Sequence, residues 1–356
     1  MKVAILKPDH LGDLVLAAPA IAALLRRFDE LTLLCHPDTA ALVRHLFPGL
    51  ALRPILFPHL DRRHKREMNA RPLLELRDEF DLFICLRWDE VVKTHLHNAG
   101  VTYQASEIDA LDVHVAVEQR DVIAPWTGAY DLLESFEYAL KPRKSPRALQ
   151  RVGLCIAAGF PLNAWPLTHW LELAQHLRQR RIEIVWIGGP CESGRLRALS
   201  AAGSSIGVPQ RVLLGGADFG WFLQELAESV ELVIATDSGT AHLASLVRPV
   251  FSIFGGSPWR RFAPLGPCNA IVTRQLPCSP CPQFDRNLVN TCMTKECLVN
   301  LTPHQVEACL DAYLAGKASI EPGRVADAWL ACAPWDYANA RLAAALGAAR
   351  RLRIPR

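Results

Sequence analysis

The sequence predicts an α/β protein of two doubly wound, parallel-sheet domains. Three observations carry this reading. Short apolar runs alternate with helical segments from residue 2 to residue 98. A stretch rich in Pro, Lys and Arg, residues 141–151, then breaks the pattern as a linker would. The alternation restarts at Val152 and runs to Leu314. A chain of 356 residues also suits two domains better than one. The expected boundaries are 1–145 and 151–315, with a tail, 316–356, of mostly helical propensity.

Taken in order, residues 2–7 form a buried strand and 8–12 a tight loop. Asp13 opens an apolar helix that Pro19 should kink or split. Residues 31–35 are a second strand, and 39–47 a helix closed by Pro48-Gly49. Strands follow at 52–57 and 80–86, then a helix at 90–98. The basic run Asp61-Arg62-Arg63-His64-Lys65-Arg66 interrupts this series as a loop. It is either a solvated surface run or a recognition surface for an anionic substrate.

The second half opens with a strand at 152–157 and an amphipathic helix at 167–180. A strand at 182–187 ends in Gly188-Gly189-Pro190, and a helix covers 192–201. Strand 211–214, helix 219–228 and strand 230–235 lead to Asp237-Ser238-Gly239-Thr240-Ala241-His242. Only about two turns of helix fit before the next strand, 250–254. A strand ending in Asp-Ser-Gly at a helix start gathers backbone N–H groups at one spot, with Ser238 or Asp237 as the cap. That is an anion site, or simply a capped helix. A strand at 270–273, a Cys-rich loop and a helix at 302–314 complete the domain.

Composition narrows the function. The net charge is +3, from 39 basic and 36 acidic residues, too mild for a nucleic-acid binder. Lys7, Asp9, His10 and Asp13 interrupt the apolar N-terminus, which argues against a signal peptide. No run reaches the ~20 apolar residues of a membrane span. The expectation is a soluble cytoplasmic protein that visits a membrane surface. No Gly-x-Gly-x-x-Gly follows the first strand, which disfavours a dinucleotide oxidoreductase.

Cysteine usage points to a reducing compartment, since seven of the 11 thiols are dispersed. The other four, Cys278-x2-Cys281-x10-Cys292-x4-Cys297, lie within twenty residues. Two close pairs suit a tetrahedral zinc or iron site of structural kind. Reduced, incidental thiols and disulfides are the alternatives.

Gly12-Asp13 is the strongest candidate of the first half. Its carboxylate follows a strand and loop, where ligands bind in doubly wound sheets. Gly12 admits close backbone approach, although an acidic residue in a first helical turn is also a common stabiliser.

The run Ile5-Leu-Lys-Pro-Asp-His-Leu-Gly-Asp-Leu-Val-Leu-Ala-Ala-Pro19 resembles the N-terminal signature of the glycosyltransferase family 9 heptosyltransferases. Trp165-Pro-Leu-Thr-His-Trp170, Ile187-Gly-Gly-Pro-Cys-Glu192, Asp237-Ser-Gly-Thr-Ala-His-Leu-Ala244 and Phe254-Gly-Gly-Ser-Pro-Trp259 are similar to further motifs of that family. Their order and spacing over roughly residues 1–315 make the resemblance specific. It implies a GT-B fold, with two Rossmann-like domains facing across a cleft. It implies an inverting transfer of heptose from ADP-heptose to a lipopolysaccharide-core or related acceptor.

By the same resemblance Asp13 is the base, in an active-site loop with Lys7 and Gly12. Gly159, Asn163, Glu192, Asp237, Ser238, Gly239 and His242 hold the donor, and Glu192 contacts the nucleoside. No cofactor is then required for catalysis. Arg62, Arg63, Lys65, Arg66 and Arg87 hold an anionic glycan or glycolipid, which brings the enzyme to the inner membrane face. Asn163 departs from the family, where Lys commonly neutralises the donor phosphates two residues before Trp-Pro. Lys7, Arg260 and Arg261 are candidate replacements. The departure leaves two alternatives open: another nucleotide-sugar donor, or a non-catalytic binding or assembly protein.

Overall fold

The structure, a computed structural model, describes residues 1–56, 71–87, 90–106, 112–128, 149–159, 161–205, 211–266, 268–281, 292, 294–319 and 322–332. The basic residues Arg62, Arg63, Lys65 and Arg66 lie outside the described residues. The chain divides into two compact units. One comprises Met1–Ala110, Val115–Lys141 and Gly216–Trp221, and the other Leu111–His114, Pro142–Gly215 and Phe222–Arg356.

The first unit carries β1 (Val3–Lys7), β2 (Leu31–Cys35), β3 (Ala51–Pro54), β4 (Leu82–Cys85) and β5 (Tyr103–Ala105). They form a parallel five-stranded sheet in the order β3-β2-β1-β4-β5. Its helices are α1 (Leu11–Leu25), α2 (Ala40–Leu46), α3 (Arg71–Leu76), α4 (Glu90–Ala99) and α5 (Val115–Thr127). β1 and β4 are buried along their length, as strands covered on both faces must be. The edge strand β3 is largely exposed.

Helix α1 starts at Leu11, so Gly12 and Asp13 lie in its first turn rather than in or directly after a loop. It also continues through Pro19, which corrects the expectation of a split. Eleven of its fifteen residues are buried, and tertiary packing holds it together despite the missing N–H.

The second unit carries β6 (Arg151–Cys155), β7 (Glu183–Gly188), β8 (Arg211–Leu214), β9 (Leu232–Thr236), β10 (Val250–Phe254), β11 (Ala270–Thr273), β12 (Gly323–Val325) and β13 (Ala328–Cys332). Its eight-stranded sheet has the order β12-β13-β11-β10-β9-β6-β7-β8. All pairings are parallel except those of β13 with β11 and β12. The helices are α6 (Leu167–Gln179), α7 (Ser193–Ser205), α8 (Phe219–Ser229), α9 (Gly239–Ser245), α10 (Trp259–Phe262), α11 (Glu296–Val299) and α12 (Pro303–Leu314).

The core beneath α6 and α12 gathers Trp165, Trp170, Trp186, Leu173, Leu310 and Tyr313, among others. Trp165 packs edge-on against Trp170 at 4.9 Å and donates its Nε1–H to the Leu301 carbonyl at 2.8 Å. A buried indole needs such a partner.

The expected helical tail is corrected in its first part. Residues 323–332 form a hairpin, and 333–356 lie outside the described residues. Ala326 and Asp327, both with positive φ (47° and 64°), make the two-residue turn between β12 and β13. Such a turn matches the twist of paired strands. The apolar run Ala328–Cys332 gains backbone bonds and burial on β11, which outweighs the helical propensity of its alanines.

Candidate active site

Each sheet has a point where the chain reverses its direction of winding, between β1 and β4 in the first and between β6 and β9 in the second. Ligands of doubly wound sheets bind beyond the carboxyl ends of the strands at that point. A polar cluster occupies that position in each unit.

In the first unit the cluster is centred on Asp9, whose side chain is only 2 % exposed. It pairs with Lys7 at 2.8 Å and with the Arg87 guanidinium. One buried carboxylate thus faces two cations. Burial pushes Lys7 down to about 8; Asp13 opposes that shift and Arg87 adds to it. Glu118 on α5 lies within electrostatic reach of Lys7, and Gln119 donates to the Leu86 carbonyl at 2.9 Å. Asp13, half-buried in the first turn of α1, shares this environment through Lys7. Lys7 and Arg87 are therefore committed to Asp9 rather than standing as free cations.

In the second unit the cluster is centred on Asp237, immediately after β9. Ser238 is the N-cap of α9 and accepts from the Ala241 N–H at 3.3 Å. The Asn163 amide donates to one Asp237 oxygen at 3.0 Å, and its own oxygen accepts from the Ser257 hydroxyl at 2.8 Å. The other Asp237 oxygen lies 3.8 Å from His242 Nε2. His242 is 4 % exposed, and its Nδ1 is buried with no hydrogen-bond partner. Gly239 is the first residue of α9.

Two groups underlie this layer. Cys155, at the end of β6, lies close to Ser238 and Thr240, and burial pushes its thiol up to about 12. His114 bonds the Ala263 carbonyl at 3.0 Å. Burial pushes its pKa down to about 4, and His242 and Arg261 lower it further.

Other expected residues behave differently. The Glu192 carboxylate accepts from the Gly189 N–H at 2.9 Å and closes the turn after β7. Gly159 has open space where a side chain would sit. Arg261 is buried beside Phe262, and Arg260 stacks on Trp259 at 4.6 Å.

The comparisons with known proteins accord with this fold. The family model for glycosyltransferase family 9 (heptosyltransferase) matches residues 106–291, more than half of the 356. The chain belongs to glycosyltransferase family 9. The family 9 glycosyl transferase from Veillonella parvula superposes with a TM-score of 0.64 at 15 % identity, over 88 % of this chain and 98 % of that one. The E. coli ADP-heptose lps heptosyltransferase II gives a TM-score of 0.58 at 17 % identity, over 89 % and 99 %. The iron-containing dodecameric glycosyltransferase TibC of enterotoxigenic E. coli gives 0.56 at 16 %, over 88 % and 76 %. No curated protein sequence matches the chain. At these identities the superpositions establish the fold class, GT-B, with two Rossmann-like sheets.

The residues that sequence reasoning missed in this family 9 chain are Asp9, Ser257, Cys155, His114, Glu118 and Gln119. Asp9 and Ser257 stand inside motifs already quoted, so a signal existed for them. Glu118 and Gln119 carried none, because consecutive buried polar residues on α5 spoil the apolar period that marks a helix.

All eleven cysteines lie among the described residues, and none is joined in a disulfide bond. Cys297 is pushed up to about 11, by burial first and then by the proximity of Cys292, Cys278 and Cys281. Cys292 Sγ accepts the Lys295 N–H at 3.4 Å. Among the described residues no group of three or more His, Cys, Asp or Glu side chains is close enough to hold a metal ion. Among them, too, no helix is long and apolar enough to cross a membrane.

Proposed function

We propose that this family 9 glycosyltransferase transfers heptose from ADP-heptose, with inversion, to a lipopolysaccharide-core or related anionic glycan. The hydrogen-bonded Asn163–Asp237 pair at the switch point of the second sheet, beside the capped start of α9, carries the reading. Asp237 orients polar groups of the donor, with Gly159, Ser238, Gly239 and His242 around it, and Glu192 lies toward the nucleoside. The diphosphate gains negative charge as the glycosidic bond breaks. The backbone N–H groups of Gly239 and its neighbours stabilise that charge, and transfer needs no divalent cation at the phosphates. Asp13 accepts the proton of the attacking acceptor hydroxyl, a poor nucleophile until a base removes that proton. Lys7 and Gly12 shape its surroundings.

Arg62, Arg63, Lys65 and Arg66 recognise the anionic acceptor, and Arg87, paired with Asp9 but 20 % exposed, offers it the remaining guanidinium N–H donors. A glycolipid acceptor would hold the enzyme at the inner face of the cytoplasmic membrane. Cys278, Cys281, Cys292 and Cys297 close on a structural zinc or iron ion. Their soft donor set supports this, although the four thiols as they stand are not gathered closely enough to hold an ion and would have to draw together on binding it. Metal analysis of the purified chain, with Cys278→Ser and Cys292→Ser as controls, tests it.

The donor is tested by thermal shift with ADP, UDP and GDP. A nucleotide at about 100-fold its dissociation constant stabilises the folded state by about 2.7 kcal/mol. Stabilisation by ADP supports the reading, and selective stabilisation by UDP sinks it in favour of another nucleotide-sugar donor.

A further inference from the structure

The loop that leaves β10 reads Gly255-Gly256-Ser257-Pro258, and its backbone is gripped from the Cys-bearing arm. The Gly255 carbonyl accepts from the Ser279 hydroxyl at 3.0 Å. The Gly256 carbonyl accepts from the Cys281 N–H at 2.7 Å. Gly255 admits no side chain in this packing, and at Gly256 one fits only if its neighbour shifts. A Cβ on Gly255 would lie 2.6 Å from the Leu298 side chain, and one on Gly256 would lie 3.0 Å from Cys281 Cβ. The arm therefore sets the position of the next residue, Ser257.

Ser257 is 1 % exposed, and its hydroxyl donates to the Asn163 oxygen. That bond fixes which way the Asn163 amide faces, because an amide whose oxygen is taken must present its N–H2 on the other side. The N–H2 meets Asp237. Thus a continuous path runs from Ser279 and Cys281 through Gly255-Gly256 to Ser257, Asn163 and Asp237. Where the sequence resemblance leads one to expect a lysine, this chain has a short amide held from behind.

We propose that Ser257 is a positioning residue for donor binding, which acts through Asn163 on Asp237 and ties the Cys-bearing arm to the donor site. The proposal rests on the reading of this cluster as the nucleotide-sugar site. A hydroxyl that holds Asn163 keeps one Asp237 oxygen occupied and the carboxylate plane fixed, so the free edge meets the donor at one angle. Loss of the hydroxyl lets the amide rotate, and Asp237 loses its fixed partner.

The test is ADP binding by calorimetry to the full chain and to Ser257→Ala, Asn163→Ala and the double variant, with thermal midpoints measured in parallel. Ser257→Ala should weaken ADP binding roughly five- to tenfold. The double variant should be no weaker than Asn163→Ala, because Ser257 acts only through that residue. Ser279→Ala, outside the donor site, should weaken ADP binding about two- to threefold by loosening the loop. If Ser257→Ala lowers the midpoint sharply, Ser257→Thr, which keeps the hydroxyl, should restore both midpoint and affinity. Wild-type affinity in Ser257→Ala overturns the proposal, as do multiplicative losses in the double variant or a Ser257→Thr variant that folds but stays weak. A wild-type chain that does not bind ADP sinks the donor reading itself, and the proposal with it.

Discussion

Replacing Asp9 by Asn should destabilise the protein by about 3–5 kcal/mol at pH 7, the range for breaking a buried ion pair by removing one partner. The substitution keeps the shape of the side chain and removes its charge. Two cations, Lys7 and Arg87, then share a buried site without a counter-charge of their own. Lys7 offers a partial escape by shedding its proton. Its pKa, already near 8 in the wild type through burial, makes that step accessible, while the lost Arg87 pair has no such escape. The pH dependence follows from the same shift. Below pH 8 wild-type Lys7 is charged and Asp9 compensates two cations; above pH 8 Lys7 is neutral and Asp9 compensates only Arg87. The difference between wild type and variant should therefore shrink as pH rises from 7 to 9.5. Urea unfolding of the full chain at both pH values measures it. Hydrogen exchange of peptides covering β1 and β4 assigns the transition to the first unit. A loss below about 0.5 kcal/mol at pH 7, or an equal loss at both pH values, would refute the paired-cluster account, since surface charges change stability by no more than that.

Three further outcomes are expected. Asp13→Asn should lower transfer by about 10²–10⁴-fold while ADP affinity stays within about twofold of wild type, measured by turnover and calorimetry; near wild-type turnover would remove Asp13 as the base. Trp170→Ala empties a fully buried site in the second core and should cost about 3–5 kcal/mol in urea unfolding, with a loss under 1 kcal/mol contradicting its place there. His114 holds a folded pKa near 4 against an ordinary value of 6.5, so it favours the neutral form. Its contribution is complete above pH 6.5 and is lost as pH falls toward 4, on the order of 3 kcal/mol. His114→Gln should flatten that part of the acid limb of a stability-against-pH curve, and an unchanged limb would show that His114 does not cause it.

Much of the architecture was legible from local pattern. The strands 31–35, 250–254 and 270–273 match β2, β10 and β11 residue for residue, because a buried parallel strand is a continuous apolar run with turn residues at each end. The segments that escaped notice, β5, α3 and α5, are short or carry buried polar residues, and their sequences lack a period to read. The tail shows the opposite failure. Its alanines suggested helix, yet the hairpin of β12 and β13 depends on β11, a partner some sixty residues away that no local window contains.

The sequence by itself determined the two doubly wound halves, the family and the residues that end β1 and β9, since each is written in contiguous motifs. Only the tertiary structure decided what those residues do to one another. Asn163 and Asp237 are 74 positions apart, and Ser257 and Asn163 are 94 apart, yet they form one hydrogen-bonded chain. Lys7 and Arg87, both plausible as free cations in the sequence, are joined by Asp9. The physical reason is that propensity and apolar period are properties of neighbours along the chain. Pairing of buried polar groups is fixed by which strand ends the sheet order brings together, and each such group must find its partner there or lose more by burial than it gains.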